Sequence, residues 1–307
     1  MVNALTNYLV QEFVSVIIPV FNDSERLKLC LQALENQTYS KDLYEVIVVD
    51  NASQEDLKSV VIQFSQTQFA YESQPGSYVA RNKGISIAKG EILAFTDSDC
   101  IPALDWIEKG VENILSTPNC GLVAGRIDFF FQNPQQPTSV ELYESIELGF
   151  NQELCVQNGH FGVTANLFTF KHVIDNVGNF DEKLKSAGDR EWGERVFAAG
   201  YKQVYGDNVC IKHPARYSFA QLQKRIARFV GGRHDVLMSK NPSSLEIAMD
   251  FIDIFKPPFR SFYRIWKNPK LNETSQKLQF VRVMFFTRYV VIVEKFRLYF
   301  GGISKRE

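Results

Sequence analysis

Three short runs constrain this chain more than anything else in it. They are FVSVIIPVF (13–21), YEVIVVD (44–50) and EILAFTD (91–97). Each is apolar and β-branched, each lacks polar alternation, and each stops at a turn or an aspartate. Such runs read as strands buried on both faces. QFAYES (68–73) is predicted as a further strand. Between them lie helical stretches. Ser24–Asn36 carries Leu27, Leu29, Leu31 and Leu34, Ser53 is read as the cap of a second helix with Asp56 three residues on, and Gly76–Lys89 ends at Gly90. Strands buried on both faces need helices on both sides, so the expectation is an α/β chain with a Rossmann-like, mostly parallel central sheet flanked by helices.

The charge is divided along the chain. The net value of −1 comes from 34 basic and 35 acidic residues, but residues 1–213 hold 16 basic and 28 acidic ones, and the remainder 18 and 7. An acidic body of −12 therefore carries a basic tail of +11. The five cysteines, Cys30, Cys100, Cys120, Cys155 and Cys210, form no Cys-x-x-Cys pair and suit a reducing compartment. The N-terminal segment has neither a basic start nor a long apolar core, so no signal peptide is read there. Together these features predict a cytoplasmic protein.

In open α/β sheets, ligands sit beyond the carboxyl ends of the strands. Asp50 ends the second run, and Asp97-Ser98-Asp99 ends the fourth strand. A single aspartate there is ordinarily a turn residue. Two at i and i+2, beside a third on the neighbouring strand, offer hard oxygen ligands for Mg²⁺ or Mn²⁺ and acceptors for a ribose or base. Neither a Gly-x-Gly-x-x-Gly turn nor a Gly-x-x-x-x-Gly-Lys-Ser/Thr loop is present, which disfavours dinucleotide and P-loop chemistry.

VSVIIPVFND, VIVVDNAS, ARNKGISIAKGEILAFTDSD, TANLFTF…VGNFDE and AGDREWGERVFAAGY…VCIKHPAR follow one another over residues 13–215. Taken in that order, they resemble the family 2 glycosyltransferases of the GT-A fold. The resemblance implies an inverting transferase that moves a sugar from a nucleotide diphosphate sugar, with uridine as the first-choice base. Asp50 would contact the base, with Pro19, Phe21 and Asn22 lining the same pocket. Asp97 and Ser98 would meet the ribose, Asp99 would hold the metal on the diphosphate, and His213 would add a metal ligand. Arg81 would contact the nucleotide. Asp189 is implied as the general base, with Glu191 as its competitor, although Glu191 also faces Arg195 as an i, i+4 pair. Many members read Glu-Asp where this chain reads Gly188-Asp189. Asn166 and Trp192 are assigned to the acceptor side, with a buried core position an equal alternative for Trp192. The Gln-x-x-Arg-Trp signature of processive synthases is only echoed in QLQKRIARFVGGR (221–233), which implies transfer of a single sugar.

The expected organisation is a catalytic domain over 1–240, with a nucleotide-sugar half near 13–100 and an acceptor half near 101–215. A basic, aromatic helical extension follows over 241–307. FIDIFKPPFRSFYRIWK (251–267) and FVRVMFFTRYVVIVEKFRLYFGG (280–302) interleave aromatics with cations. A charge every few residues argues against a spanning helix. A helix lying in the membrane interface ranks first, packing on the body second, and a span third. The expected partners are a nucleotide sugar, a glycan or lipid-linked acceptor and an anionic membrane surface at the inner face, without nucleic acid. A non-catalytic nucleotide-sugar-binding scaffold and a nucleotidyltransferase are the rival functions.

Overall fold

The computed structural model describes residues 12–239, 241–252, 259–269, 271 and 273–305. The parts of the N-terminal and 251–267 readings that fall on 1–11 and 253–258 lie outside the described residues. Strands β1 (Val14–Val20), β2 (Tyr44–Asp50), β3 (Thr67–Tyr71) and β4 (Ile92–Thr96) form the parallel half of an eight-stranded sheet. The full order is β3-β2-β1-β4-β7-β6-β8-β5. It adds β5 (Ile101–Pro102), β6 (Cys120–Phe130), β7 (Asn166–Phe170) and β8 (Lys202–Pro214). β7 is antiparallel to both β4 and β6, β5 is antiparallel to β8, and β6 and β8 are parallel. The sheet is thus mixed, and every antiparallel pairing involves a strand from residues 101–215.

Side chains of one strand serve opposite layers, as the pleat requires. Val14, Val16, Ile18 and Val20 join one core, while Ile17 joins the other. The first layer contains α1 (Ser24–Glu35), α2 (Leu57–Val61) and α4 (Trp106–Ser116). The second contains α3 (Ser77–Ile87), α6 (Gln152–Gly159), α7 (Lys171–Val177) and α8 (Gly188–Ala198). Each fully buried Val, Leu or Ile contributes about 1.5–3 kcal/mol, so these two layers hold the sheet. α2 starts later than Ser53 suggested: Asp56 caps it by accepting from the Ser59 N–H. The Ser53 hydroxyl instead accepts from the Asn22 N–H at 2.9 Å, stitching two loops above the sheet together.

A third core lies outside the sheet. It joins α5 (Ser139–Glu147) and α9 (Phe219–Ser239) to α12 (Thr274–Tyr299) through residues that include Tyr143, Leu222, Ile226, Phe280, Val283 and Leu298. α10 (Ser244–Ile252) and α11 (Phe259–Lys267) precede α12. The apolar contacts of the extension therefore cross residues 241–244. Beside them, the fully buried Glu144 accepts from Arg216 at 2.5 Å and from Arg225. Burial lowers the Arg225 guanidinium to about 10 despite that partner. Among the described residues, no helix is long and apolar enough to cross a membrane.

Candidate active site

β1 has β2 on one side and β4 on the other, so the chain order reverses between β1 and β4. The reversal opens a crevice at their carboxyl ends. Asp97 follows β4 directly, and Arg81 reaches it from α3 at 2.5 Å. Arg81 itself is almost wholly buried, which fixes the carboxylate. The Ser98 hydroxyl donates to Asp23 at 3.2 Å, and Arg26 donates to the same aspartate at 2.7 Å. This arrangement ties the start of α1 to the Asp97–Asp99 turn.

Asp99 is held more loosely. Arg26 stands 3.4 Å from one oxygen, while His213 Nε2 stands 3.7 Å from the other. Burial raises the Asp99 carboxyl, but the charges of His213, Arg26 and Arg216 more than offset that and leave it below its ordinary value. His213 Nδ1 lies 2.8 Å from the Pro214 carbonyl, which can only accept, so Nδ1 carries the proton. That turns Nε2 toward Asp99, in the orientation a metal-binding histidine adopts. Ligand atoms of Asp97, Asp99, Cys100 and His213 lie within 4.8 Å of one another. Two carboxylates and an imidazole fit a hard or borderline divalent cation. Cys100 fits less well. Burial and the neighbouring carboxylates push its thiol well above the usual range, so it stays protonated. The sequence reading did not include it.

Asp50 is buried and accepts from the Ser53 N–H at 2.9 Å. Pro19 pairs opposite Val49, Phe21 is exposed, and Asn22 takes a left-handed backbone at φ 47°. The Asn22 side chain accepts from the Gln54 N–H, so these residues form a single rim with Asp50.

Across the crevice, Ala187 is the N-cap of α8 with φ 63°, and Asp189 lies in the first turn rather than at the cap. Burial raises the Asp189 carboxyl; the Arg190 N–H and Arg81 oppose that, and Asp97 adds to it. Tyr78, one turn before Arg81 on α3, turns its hydroxyl to this end of α8. The hydroxyl accepts from the Gly188 N–H at 2.8 Å and the Asp189 N–H at 3.3 Å, and lies 3.4 Å from an Asp189 oxygen. A Cβ on Gly188 would come within 2.6 Å of the Tyr78 ring, which explains why a glycine precedes the aspartate. Glu191 is engaged by Arg195 at 2.7 and 3.0 Å, as its spacing suggested.

Two expected acceptor residues are corrected. Asn166 is fully buried. It accepts from the Trp106 indole at 2.8 Å and donates to the Arg126 and Val209 carbonyls at 2.8 and 2.9 Å. Every proton of its amide is used inside the fold. Trp192 is also fully buried, with its indole donating to Gly178 at 3.1 Å, and no face is left for a sugar. Both were read from chemistry typical of binding sites, but their partners lie far away in sequence.

The sequence reading underweighted Arg228, whose only signal was the echo in residues 221–233. Among the described residues no hydrogen bond or ion pair holds it. Burial lowers its guanidinium and Arg216 adds to that, while Tyr78, Asp97 and Asp189 pull the other way. It lines a 500 Å³ cavity together with Asp99, His213, Arg216 and Lys224. A larger cavity of 1140 Å³ runs from Ala187, Arg190 and Glu191 past α9 to Thr287 and Val291 on α12.

The family model for glycosyl transferase family 2 matches residues 15–178. This chain is a family 2 glycosyltransferase. It is 37% identical to glycosyltransferase AglE of Haloferax volcanii over 89% of this chain and 90% of that protein. It is 22% identical to a dolichyl N-acetyl-α-D-glucosaminyl phosphate diacetamido-dideoxy-glucuronosyltransferase of Methanococcus voltae, over 69% of this chain and 70% of that protein. A mannosyltransferase of Pyrobaculum calidifontis, solved with GDP-mannose and Mn²⁺, superposes with a TM-score of 0.63 at 18% identity, covering 94% of this chain and 88% of that one. That likeness shows the GT-A fold of the glycosyltransferase. The scaffold and nucleotidyltransferase readings give way to a transferase enzyme.

Proposed function

We propose that this glycosyltransferase is metal-dependent and inverting, and moves one sugar from a nucleoside diphosphate sugar, UDP-linked in the first instance, to a hydroxyl of a glycan or lipid-linked acceptor. The observation that carries the reading is the crevice itself. The Asp97–Asp99–His213 group lies on one side and the raised Asp189 carboxyl on the other, with α3 bracing both.

Asp50 and the Pro19–Asn22 rim would hold the base, and Asp97 the ribose. Asp97, Asp99 and His213 would hold Mn²⁺ or Mg²⁺, which when bound stabilises charge developing on the diphosphate. Arg228, Arg216 and Lys224 would face the same diphosphate from α9 and its approach, where Arg228, half-buried and without a hydrogen bond or ion pair among the described residues, suits an anion. Asp189 would take the proton from the acceptor hydroxyl. The freed oxygen pair forms the new bond to the anomeric carbon, and the carbon–oxygen bond to the diphosphate breaks with its pair going to the diphosphate. A single base opposite the leaving group gives inversion. The cavity beside Ala187 and Arg190 would receive the acceptor. Five cysteines without disulfides suit a cytoplasmic setting.

Thermal shift with a panel of nucleotide sugars and Mn²⁺ tests the donor side, because a ligand at 100 times its Kd stabilises by about 2.7 kcal/mol. Asp99→Ala should lose the metal-dependent shift. Asp189→Asn should keep it and lose turnover by about 10²–10⁴-fold. Full turnover in Asp189→Asn would refute the base assignment. A metal-independent shift in the parent would refute the metal site.

A further inference from the structure

α12 is apolar on two opposite faces. One face, from Phe280 through Val283, Val290 and Leu298, is buried against α5 and α9. Leu278, Phe285, Tyr289, Val293, Phe296 and Phe300 are 39–83% exposed. Their spacings of seven, four, four, three and four residues place them within an arc of about 80°. They run along about 33 Å of helix. Scattered exposed hydrophobics are ordinary, but a continuous aromatic stripe is not.

The neighbouring helices extend the stripe. Leu245, Met249 and Ile252 are exposed at i, i+4 and i+7 on α10, and Tyr263 and Trp266 are exposed on α11. Phe251 of α10 contacts Phe296, and Phe262 of α11 contacts Phe285, so the three helices share one surface. Cations accompany it: Arg282 is exposed within the same arc. Arg282 turns its guanidinium over the Phe219 ring of α9, Lys277 covers Trp266, and Lys295 binds Asp250 at 2.7 Å.

We propose that this surface docks the protein in the interface of an anionic membrane. Two observations select lipid over a protein partner. Residues 241–307 hold 12 basic and 6 acidic residues, complementary to anionic headgroups. The exposed side chains are mostly Phe, Tyr and Trp, which partition to the headgroup boundary. Docking also sets an orientation, since the inner face of α12 lines the 1140 Å³ cavity through Thr287, Arg288 and Val291. The docking surface stands independently of the acceptor assigned to that cavity.

Sedimentation of the full chain with phosphatidylglycerol-containing vesicles and with pure phosphatidylcholine vesicles tests the proposal. Binding should favour the anionic vesicles and weaken as salt rises. Leu278→Ser, Tyr289→Ser and Val293→Ser combined should bind at least about tenfold more weakly, since the apolar contact is lost. All three side chains are exposed, so the melting temperature and the donor-dependent thermal shift should be retained. Absence of parent binding to anionic vesicles, or equal binding by the triple variant, would overturn the proposal. So would light scattering that shows a parent dimer converted to monomer by the triple variant, which would give the stripe to a second copy of the chain.

Discussion

Replacing Tyr78 with Phe removes one oxygen and keeps the ring. The oxygen serves three groups: the Gly188 N–H at 2.8 Å, the Asp189 N–H at 3.3 Å and the Asp189 carboxylate at 3.4 Å. Only the first is a bond of full strength by its length. Both amides belong to the first turn of α8, where backbone donors have no helical acceptor. Leaving one buried donor unsatisfied costs about 1–3 kcal/mol, and the lower half of that range is expected because Asp189 lies at the edge of solvent. A melting-temperature loss of about 1.5–3 °C follows for a chain of this size. The catalytic effect is separate. Without the hydroxyl, the first turn of α8 and the Asp189 carboxyl lose their lateral restraint, so turnover should fall about tenfold or more through misplacement of the base. Donor binding, which the proposed function gives to Arg81 and Asp97, should not change. The assay pairs donor thermal shift with kcat and KM at saturating donor. Loss of stability with unchanged kcat would refute the positioning role and leave Tyr78 as a helix cap. Loss of donor affinity equal to the loss of kcat would refute the division of labour along α3.

Two further outcomes are expected. Asp189 works as a base only when ionised, and burial raises its carboxyl, so kcat should fall as pH drops through a limb lying above the ordinary aspartate value of 3.8; a limb at or below that value would exclude it. Asn166→Ala should leave the Trp106 indole and two backbone carbonyls without partners and lower the urea-unfolding free energy by about 2–4 kcal/mol, with donor affinity per folded molecule unchanged.

The strand-and-helix frame was legible because its signals are local. Ile17, Ile47 and Leu93 sit in uninterrupted apolar runs, and the aspartates ending those runs mark the rim. α4 carries a local signal as well, since Trp106, Ile107, Val111 and Ile114 supply a buried face at helical spacing. Asn166 and Trp192 were misread. Their chemistry is that of a binding site, and only the partners Trp106, Arg126, Val209 and Gly178 show that it is spent inside the fold. The Tyr78–Gly188 contact spans 110 residues and no local pattern could reveal it. In α12, the helical period was hidden because apolar residues cover two faces, which cancels any one-sided signal.

α3 presents Arg81 to Asp97 and Tyr78 to Asp189, one turn apart. The two halves of the catalytic unit are therefore not interchangeable parts. A chimera joined near residue 100, taking its first half from one relative and its second from another, inherits its tyrosine and its residue 188 from different parents. If the second parent supplies a glutamate at that position, the side chain meets the Tyr78 ring at the start of α8. Exchanging acceptor preference between such enzymes thus requires that the two positions travel as a pair, and recombination libraries that respect the pair should yield active members far more often than those that cut between them.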